Sequence, residues 1–193
     1  IECINNTFNN IHTQLYNFGI QINEEESTET QSPLEIKFTE CKFIHNHQKL
    51  RKEMNIANYK FTYTECLFER NDCEDNDGCL YIKNNGETVI LESQFISNSA
   101  TENGGAIYVE SSSKTTITNS NFTNCISKAT DSPYAIQINS GTTDIDTCTI
   151  SFDDNTNACG GINLGDQGFN LLNCMFIRTH SSGSILFAQS ATS

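Results

Sequence analysis

Tryptophan is absent, proline and methionine occur twice each, and lysine and arginine together number 11 against 24 aspartates and glutamates. Each shortage excludes something. Only 36% of the 193 residues are hydrophobic, too few for one thick core, so the interior must be narrow and repeated. A formal charge of −13 repels phosphate backbones and anionic lipid, which argues against a nucleic-acid partner. No run approaches about 18 apolar residues, so no membrane-spanning helix is expected. An initiator methionine and a signal peptide are also missing, and a mature or excised segment of a longer protein is expected. Among nine cysteines there is no Cys-x-x-Cys pair, which argues against metal ligation by thiolates.

What is present is a period. In Gly104-Gly105-Ala106-Ile107-Tyr108-Val109 two glycines open a short strand in which Ile107 and Val109 share one face, Ala106 and Tyr108 the other. Leu80/Ile82 repeat it 27 residues earlier; Ile136/Ile138, Ile162/Leu164 and Ile185/Phe187 follow, with Ile20/Ile22 as an early copy. A strand recurring at this interval in one phase predicts a solenoid.

A second strand precedes each copy. Its aromatic position holds Phe43, Phe68, Phe95, Phe122, Ile150 and Phe176, at spacings of 25, 27, 27, 28 and 26 residues, with Phe8 as an earlier member. Two residues before each stand Cys41, Cys66, Ser93, Ser120, Cys148 and Cys174. Positions i and i−2 lie on one strand face, so both columns are expected to point inward. The apolar residue five before the Phe has the wrong parity. A bend between them would return it to the core, giving three short strands per coil. Ile150 rather than Phe152 is assigned to the aromatic column, because this keeps Ile145 and Cys148 in phase. Asn46, Asn71 and Asn98 each follow the Phe by three residues, with Asn124 and Asn10 at two. Asparagine tolerates the left-handed backbone of sharp turns, and stacked amides can bond from coil to coil, so a turn and a ladder are both expected here.

Gly104-Gly105-Ala106-Ile107, with Phe-x-x-Asn at Phe43/Asn46, Phe68/Asn71 and Phe95/Asn98, resembles the paired repeat of the chlamydial polymorphic outer-membrane adhesins and related protist surface proteins. The resemblance spans roughly residues 40–180, with departures at Asp77-Gly78-Cys79-Leu80, Ser132-Pro133-Tyr134-Ala135-Ile136 and Cys159-Gly160-Gly161-Ile162. It implies a right-handed parallel β-helix. Residues 1–193 are therefore expected to form one all-β solenoid of this kind, with about seven coils and three short strands in each. Two insertions interrupt it. Residues 23–33 are acidic and end in Pro33, the pattern of a protruding loop; residues 47–60 carry Leu50, Met54 and Ala57 at helical spacing among four basic residues, as either a short helix or a degenerate coil.

The sequons at Asn5 and Asn121, together with the cysteines, favour an oxidising, extracellular setting with N-linked glycans. Cys41/Cys66 and Cys148/Cys174 are neighbours in one inward column, as bridges or as buried thiols; Cys73/Cys79 bracket a turn and form the best local bridge; Cys125 and Cys159 could join. An odd count leaves Cys3 for sequence beyond the segment or another chain. Asp75 and Asp77 give part of a calcium loop, but Cys73 and Asn84 stand where its first and twelfth ligands belong, so a solvated acidic turn is the plainer reading. Asp144/Asp146 and Asp153/Asp154 are the nearest match to the paired carboxylates of polysaccharide-cleaving β-helices, without a histidine or arginine beside them. Catalytic residues and a cofactor are accordingly not expected. Two functions remain: a structural or adhesive rod whose partners are other copies or a longer parent chain, and a carbohydrate-binding or carbohydrate-cleaving β-helix using the outward column Tyr81, Tyr108, Gln137 and Asn163.

Overall fold

In a computed structural model, the structure describes residues 2–9, 34–46, 59–73, 79–83, 86–112, 114–128, 134–152, 161–164, 168–177 and 186–188. These residues form a parallel β-solenoid, with no helix among them. The first sheet stacks seven strands, β1 (Glu2–Ile4), β3 (Leu34–Thr39), β5 (Tyr59–Thr64), β9 (Glu87–Leu91), β13 (Lys114–Thr118), β17 (Thr142–Asp146) and β20 (Phe169–Leu172). The second stacks seven more, β2 (Thr7–Asn9), β4 (Lys42–Ile44), β6 (Leu67–Glu69), β10 (Gln94–Ile96), β14 (Asn121–Thr123), β18 (Thr149–Ser151) and β21 (Met175–Ile177). A fourth sheet holds β8 (Leu80–Lys83), β12 (Ile107–Ser111), β16 (Ile136–Ile138), β19 (Ile162–Leu164) and β22 (Leu186–Ala188). Beyond the three strands expected in each coil, a short third sheet of two-residue strands, β7 (Asp72–Cys73), β11 (Ser99–Ala100) and β15 (Ile126–Ser127), is inserted before the fourth.

The aromatic column is continuous. Phe8, Phe43, Phe68, Phe95, Phe122, Ile150 and Phe176 pair in register through the second sheet. From Phe8 to Phe122 the rings stack with centroids 4.9, 4.7, 4.5 and 4.7 Å apart, the spacing that adjacent parallel strands impose. Ile150 does occupy the aromatic column, one bonded step above Phe122.

The parity conflict between the first and second strands is resolved by one left-handed residue per coil. Asn5, Glu40, Glu65, Glu92, Asn119, Thr147 and Asn173 all have φ between 50° and 54°. Such a bend rotates the chain without breaking the ladder, because the bend amide still reaches the neighbouring coil: Glu40 N donates to Thr64 O at 2.9 Å, Glu65 N to Leu91 O at 3.0 Å and Glu92 N to Thr118 O at 3.0 Å. A second corner repeats the device at His45, Arg70, Ser97 and Asn124, with φ from 51° to 53°. The turn expected at Asn46, Asn71 and Asn98 thus sits one residue earlier, and Asn124 belongs to that corner rather than to the amide column.

Two other expectations are corrected. The fourth sheet pairs Leu186 and Ala188 with Ile162 and Leu164, one residue later than the Ile185/Phe187 phase. Alternation cannot set the phase where three consecutive residues, Ile185-Leu186-Phe187, are all apolar. Strand β5 begins at Tyr59, inside the supposed 47–60 insertion, because Tyr59 and Lys60 pair with Leu34 and Glu35. Cys41, Cys66, Cys125 and Cys148 stand as buried thiols. The loop 23–33, residues 47–58, the Ile20/Ile22 copy, Asn10, Asp75, Asp77, Asp153, Asp154 and Cys159 lie outside the described residues.

Candidate functional site

Inside the solenoid the polar residues are committed to one another. Asn71 Nδ2 donates to Asn98 Oδ1 at 2.9 Å and to Phe43 O at 3.0 Å, while its own Oδ1 accepts from Asn46 N and Asn46 Nδ2, both at 3.0 Å. The amide ladder is real, and its fourth rung is Cys125, whose sulfur lies 3.7 Å from Asn98 Nδ2. In the adjoining column Cys66 N donates to Ser93 Oγ and Ser93 N to Ser120 Oγ, each at 3.1 Å. The thiols of this column point at carbonyl oxygens of a neighbouring coil, Cys41 at Cys3 O, Cys66 at Phe38 O and Cys148 at Ile117 O. Burial pushes Cys66 up to about 12 and Cys148 up to about 11, so neither is a nucleophile at neutral pH.

The outer faces differ in kind. On the first sheet the outward column Glu35, Lys60, Glu87, Lys114 alternates in sign through the strand register, and Lys60 pairs with Glu87 at 3.7 Å. Asp144, the first candidate carboxylate, accepts from Asn170 Nδ2 at 2.7 Å and pairs with Lys114 at 3.1 Å. Those two partners hold its carboxyl below the usual range, the opposite of what a general acid requires. Asp146 accepts from Asn173 and Thr147. His45 stands at the second corner and Arg70 lies beside Glu69, away from this strand. Among the described residues no cluster of three metal-ligating side chains occurs.

On the fourth sheet the outward column is covered. Tyr81 and Tyr108 stack with centroids 5.5 Å apart, Tyr81 meets Glu110, and Asn139 Nδ2 donates to the Tyr108 hydroxyl at 2.9 Å. Tyr81 is only 2% exposed, and Tyr108 and Gln137 are buried too, so the rings present no open platform to a sugar.

The last described coil departs from the one before it and is apolar at three outward positions where earlier coils are apolar at two at most, such as Leu67 in one coil and Leu91 and Ile96 in the next. At outward positions where β17 and β18 carry Asp146, Thr149 and Ser151, strands β20 and β21 carry Leu172, Met175 and Ile177. These are 56%, 57% and 46% exposed. Asn173, with φ 50°, turns the chain between them, so they form one apolar corner. The large exposed hydrophobic residue at the other end, Ile4 at 55%, occupies the same outward column as Leu172, reached through Thr39, Thr64, Leu91, Thr118 and Asp146. The signal lay in the sequence as the loss of polar residues at outward positions, which the inward periodicity does not reveal. Both sequon asparagines, Asn5 and Asn121, are exposed, the first at a bend and the second on the outer face of β14.

Compared with known proteins, the chain matches no family model, no curated protein and no solved structure.

Proposed function

We propose that the chain is a non-catalytic, extracellular structural or adhesive solenoid whose last coil seats the first coil of a second copy, extending the rod end to end. The observation that carries this is the apolar corner Leu172, Met175, Ile177, set where the preceding coil is polar. Water-facing apolar side chains on strands that, among the described residues, are the edges of their sheets favour burial against another strand. A second copy fits the columns: stacked head to tail, Leu172 would meet Ile4 on the outside and Phe176 would meet Phe8 within, each at one strand spacing of about 4.8 Å. The exposed sequons support an extracellular setting, since a glycan at Asn121 would project sideways from the rod.

The carbohydrate-active alternative needs an open aromatic face or a carboxylic acid kept protonated; Tyr81 and Tyr108 are buried and Asp144 is held ionised. Sedimentation velocity and negative-stain microscopy of the chain at rising concentration test the proposal. Linear oligomers that grow with concentration and vanish in the Leu172→Asp/Met175→Glu variant are expected. A chain that stays monomeric at tens of micromolar overturns the assembly, and oligosaccharide binding blocked by Tyr108→Ala would establish the alternative instead.

A further inference from the structure

Cys73 ends β7 and Cys79 immediately precedes β8, so the two stand on either side of the step from the third sheet to the fourth. Both are buried, in a small cluster with Ala100, apart from the main core. Their sulfurs are 3.2 Å apart. That is inside van der Waals contact for two sulfur atoms and about 1.2 Å from a bonded distance of about 2.05 Å. The neighbouring coil explains why this corner brings two β-carbons together. Ala100 pairs with Cys73, and Ala106 precedes Ile107, the partner of Leu80, so Ala100 and Ala106 occupy the corresponding positions at the same six-residue separation. The corner thus takes small side chains at both positions, and among the described coils only that of Cys73 carries a pair of thiols there.

We propose that Cys73 and Cys79 are joined as a disulfide in the mature protein, clasping the third sheet to the fourth within one coil. The reaction is thiol–disulfide exchange with a low-molecular-weight disulfide such as oxidised glutathione. One cysteine sulfur attacks it to give a mixed disulfide and one released thiol; the second attacks that mixed disulfide, forms the Cys73–Cys79 bond and releases the second thiol. The two cysteine protons leave to solvent or to the departing thiolates, and the small disulfide takes the electron pair. Exchange takes place during folding, while the corner is open, because in the closed corner burial raises the Cys79 thiol far above its ordinary range and removes the attacking thiolate. The same burial then shields the bond from reductants.

The sulfur–sulfur distance of 3.2 Å, not thiol direction, selects this pair, since Cys79 also addresses Asn71 O at 3.0 Å as the other buried thiols address carbonyl oxygens. Cys125 turns its thiol to Phe95 O at 3.3 Å and lies against the Asn98 amide, and Cys41, Cys66 and Cys148 address carbonyl oxygens. This inference is independent of end-to-end assembly, and either can fail without the other.

The test is peptide mapping of the full chain folded in a glutathione redox buffer, denatured without reductant and treated with iodoacetamide. Trypsin releases Asn71–Lys83, which contains both cysteines and no other. The expected peptide is two hydrogens lighter than the dithiol, carries no label, and holds together after cleavage at the acidic residues between the cysteines. Cys79→Ser is expected to leave Cys73 fully labelled. A doubly alkylated peptide, a glutathione adduct, or a Cys79–Cys125 cross-link would each overturn the proposal.

Discussion

Asn71 and Asn98 share a hydrogen bond of 2.9 Å between side-chain amides that sit in successive coils, wholly out of water. Because Asn71 also donates to Phe43 O and accepts twice from Asn46, all four capacities of one buried amide are filled, and every one of those bonds crosses between coils. Substituting Asn71→Leu keeps the volume but leaves the Asn46 N–H and one Asn46 Nδ2 hydrogen without their acceptor and removes the side-chain donor to Phe43 O, while Asn98 Oδ1 keeps the Asn71 backbone N–H at 3.1 Å and Asn46 Nδ2 keeps Phe8 O at 3.2 Å. At about 1–3 kcal/mol for each buried group left unmatched, partly offset by relaxation, a net loss of roughly 3–4 kcal/mol is expected. Urea denaturation should show it as a lower midpoint with an unchanged slope, and a loss below about 1 kcal/mol would mean the ladder is not the organising contact it is taken to be.

Gly105 makes a second, steric prediction. A Cβ built there would lie 2.1 Å from Ile126 O and 2.2 Å from Ile126 C, backbone atoms of the neighbouring coil that cannot swing aside. Gly104 is equally confined, 2.2 Å from Ile107 O and 2.6 Å from Gln137 N. The glycine pair is thus required by close approach of chain to chain. Gly105→Ala should cost on the order of 3 kcal/mol or abolish folding, whereas Gly168→Ala, with nothing within 4 Å, should be tolerated. Comparing soluble yield and thermal midpoint of the two variants checks both halves.

These two residues also mark how far the sequence could be read. Phe43, Phe68, Phe95 and Phe122 were legible because an inward aromatic every 25–27 residues has no other economical explanation. Asn46, Asn71 and Asn98 were legible for the same reason. The first corner was legible only as a required bend, its Glu40, Glu65 and Glu92 giving way to Asn119, Thr147 and Asn173 in later coils, and the second, at His45, Arg70 and Ser97, shares a backbone angle and almost no chemistry. Their side chains face water, so the fold constrains φ and leaves residue type nearly open. Strand β22 escaped because an unbroken apolar run has no phase, and the apolar corner at Leu172, Met175 and Ile177 because it lies outside the periodic columns.

Thr147 is the costliest corner. It is β-branched and held at φ 53°, while the equivalent positions of the adjoining coils are Asn119 and Asn173, the residue type that best tolerates this region after glycine. Thr147→Asn should therefore stabilise the chain by about 1 kcal/mol, or about 2–4 °C in thermal midpoint. The exposed bond from Thr147 Oγ1 to Asp146 that it removes is too weak to reverse the sign. A lower midpoint for this variant would show that the corner angle carries little strain.

The thiols give the solenoid an alkaline limit. Desolvation raises Cys66 to about 12 and Cys148 to about 11 in the folded chain, above the 9.0 of an ordinary thiol. A folded value above the unfolded one means that the unfolded chain releases the proton first, so their contribution is complete below about pH 9 and is lost as pH rises toward 11 or 12. Thermal midpoints should therefore be flat through neutrality and fall steadily above pH 9. Cys66→Ser should flatten part of that fall at little cost, because its column already accepts serine. Ser93 Oγ donates to Leu91 O at 2.8 Å and Ser120 Oγ to Thr118 O at 2.9 Å, and the hydroxyl introduced by Cys66→Ser would have Thr64 O in the same place. If the alkaline slope were identical in the parent and in Cys66→Ser, the buried thiol would not be its source.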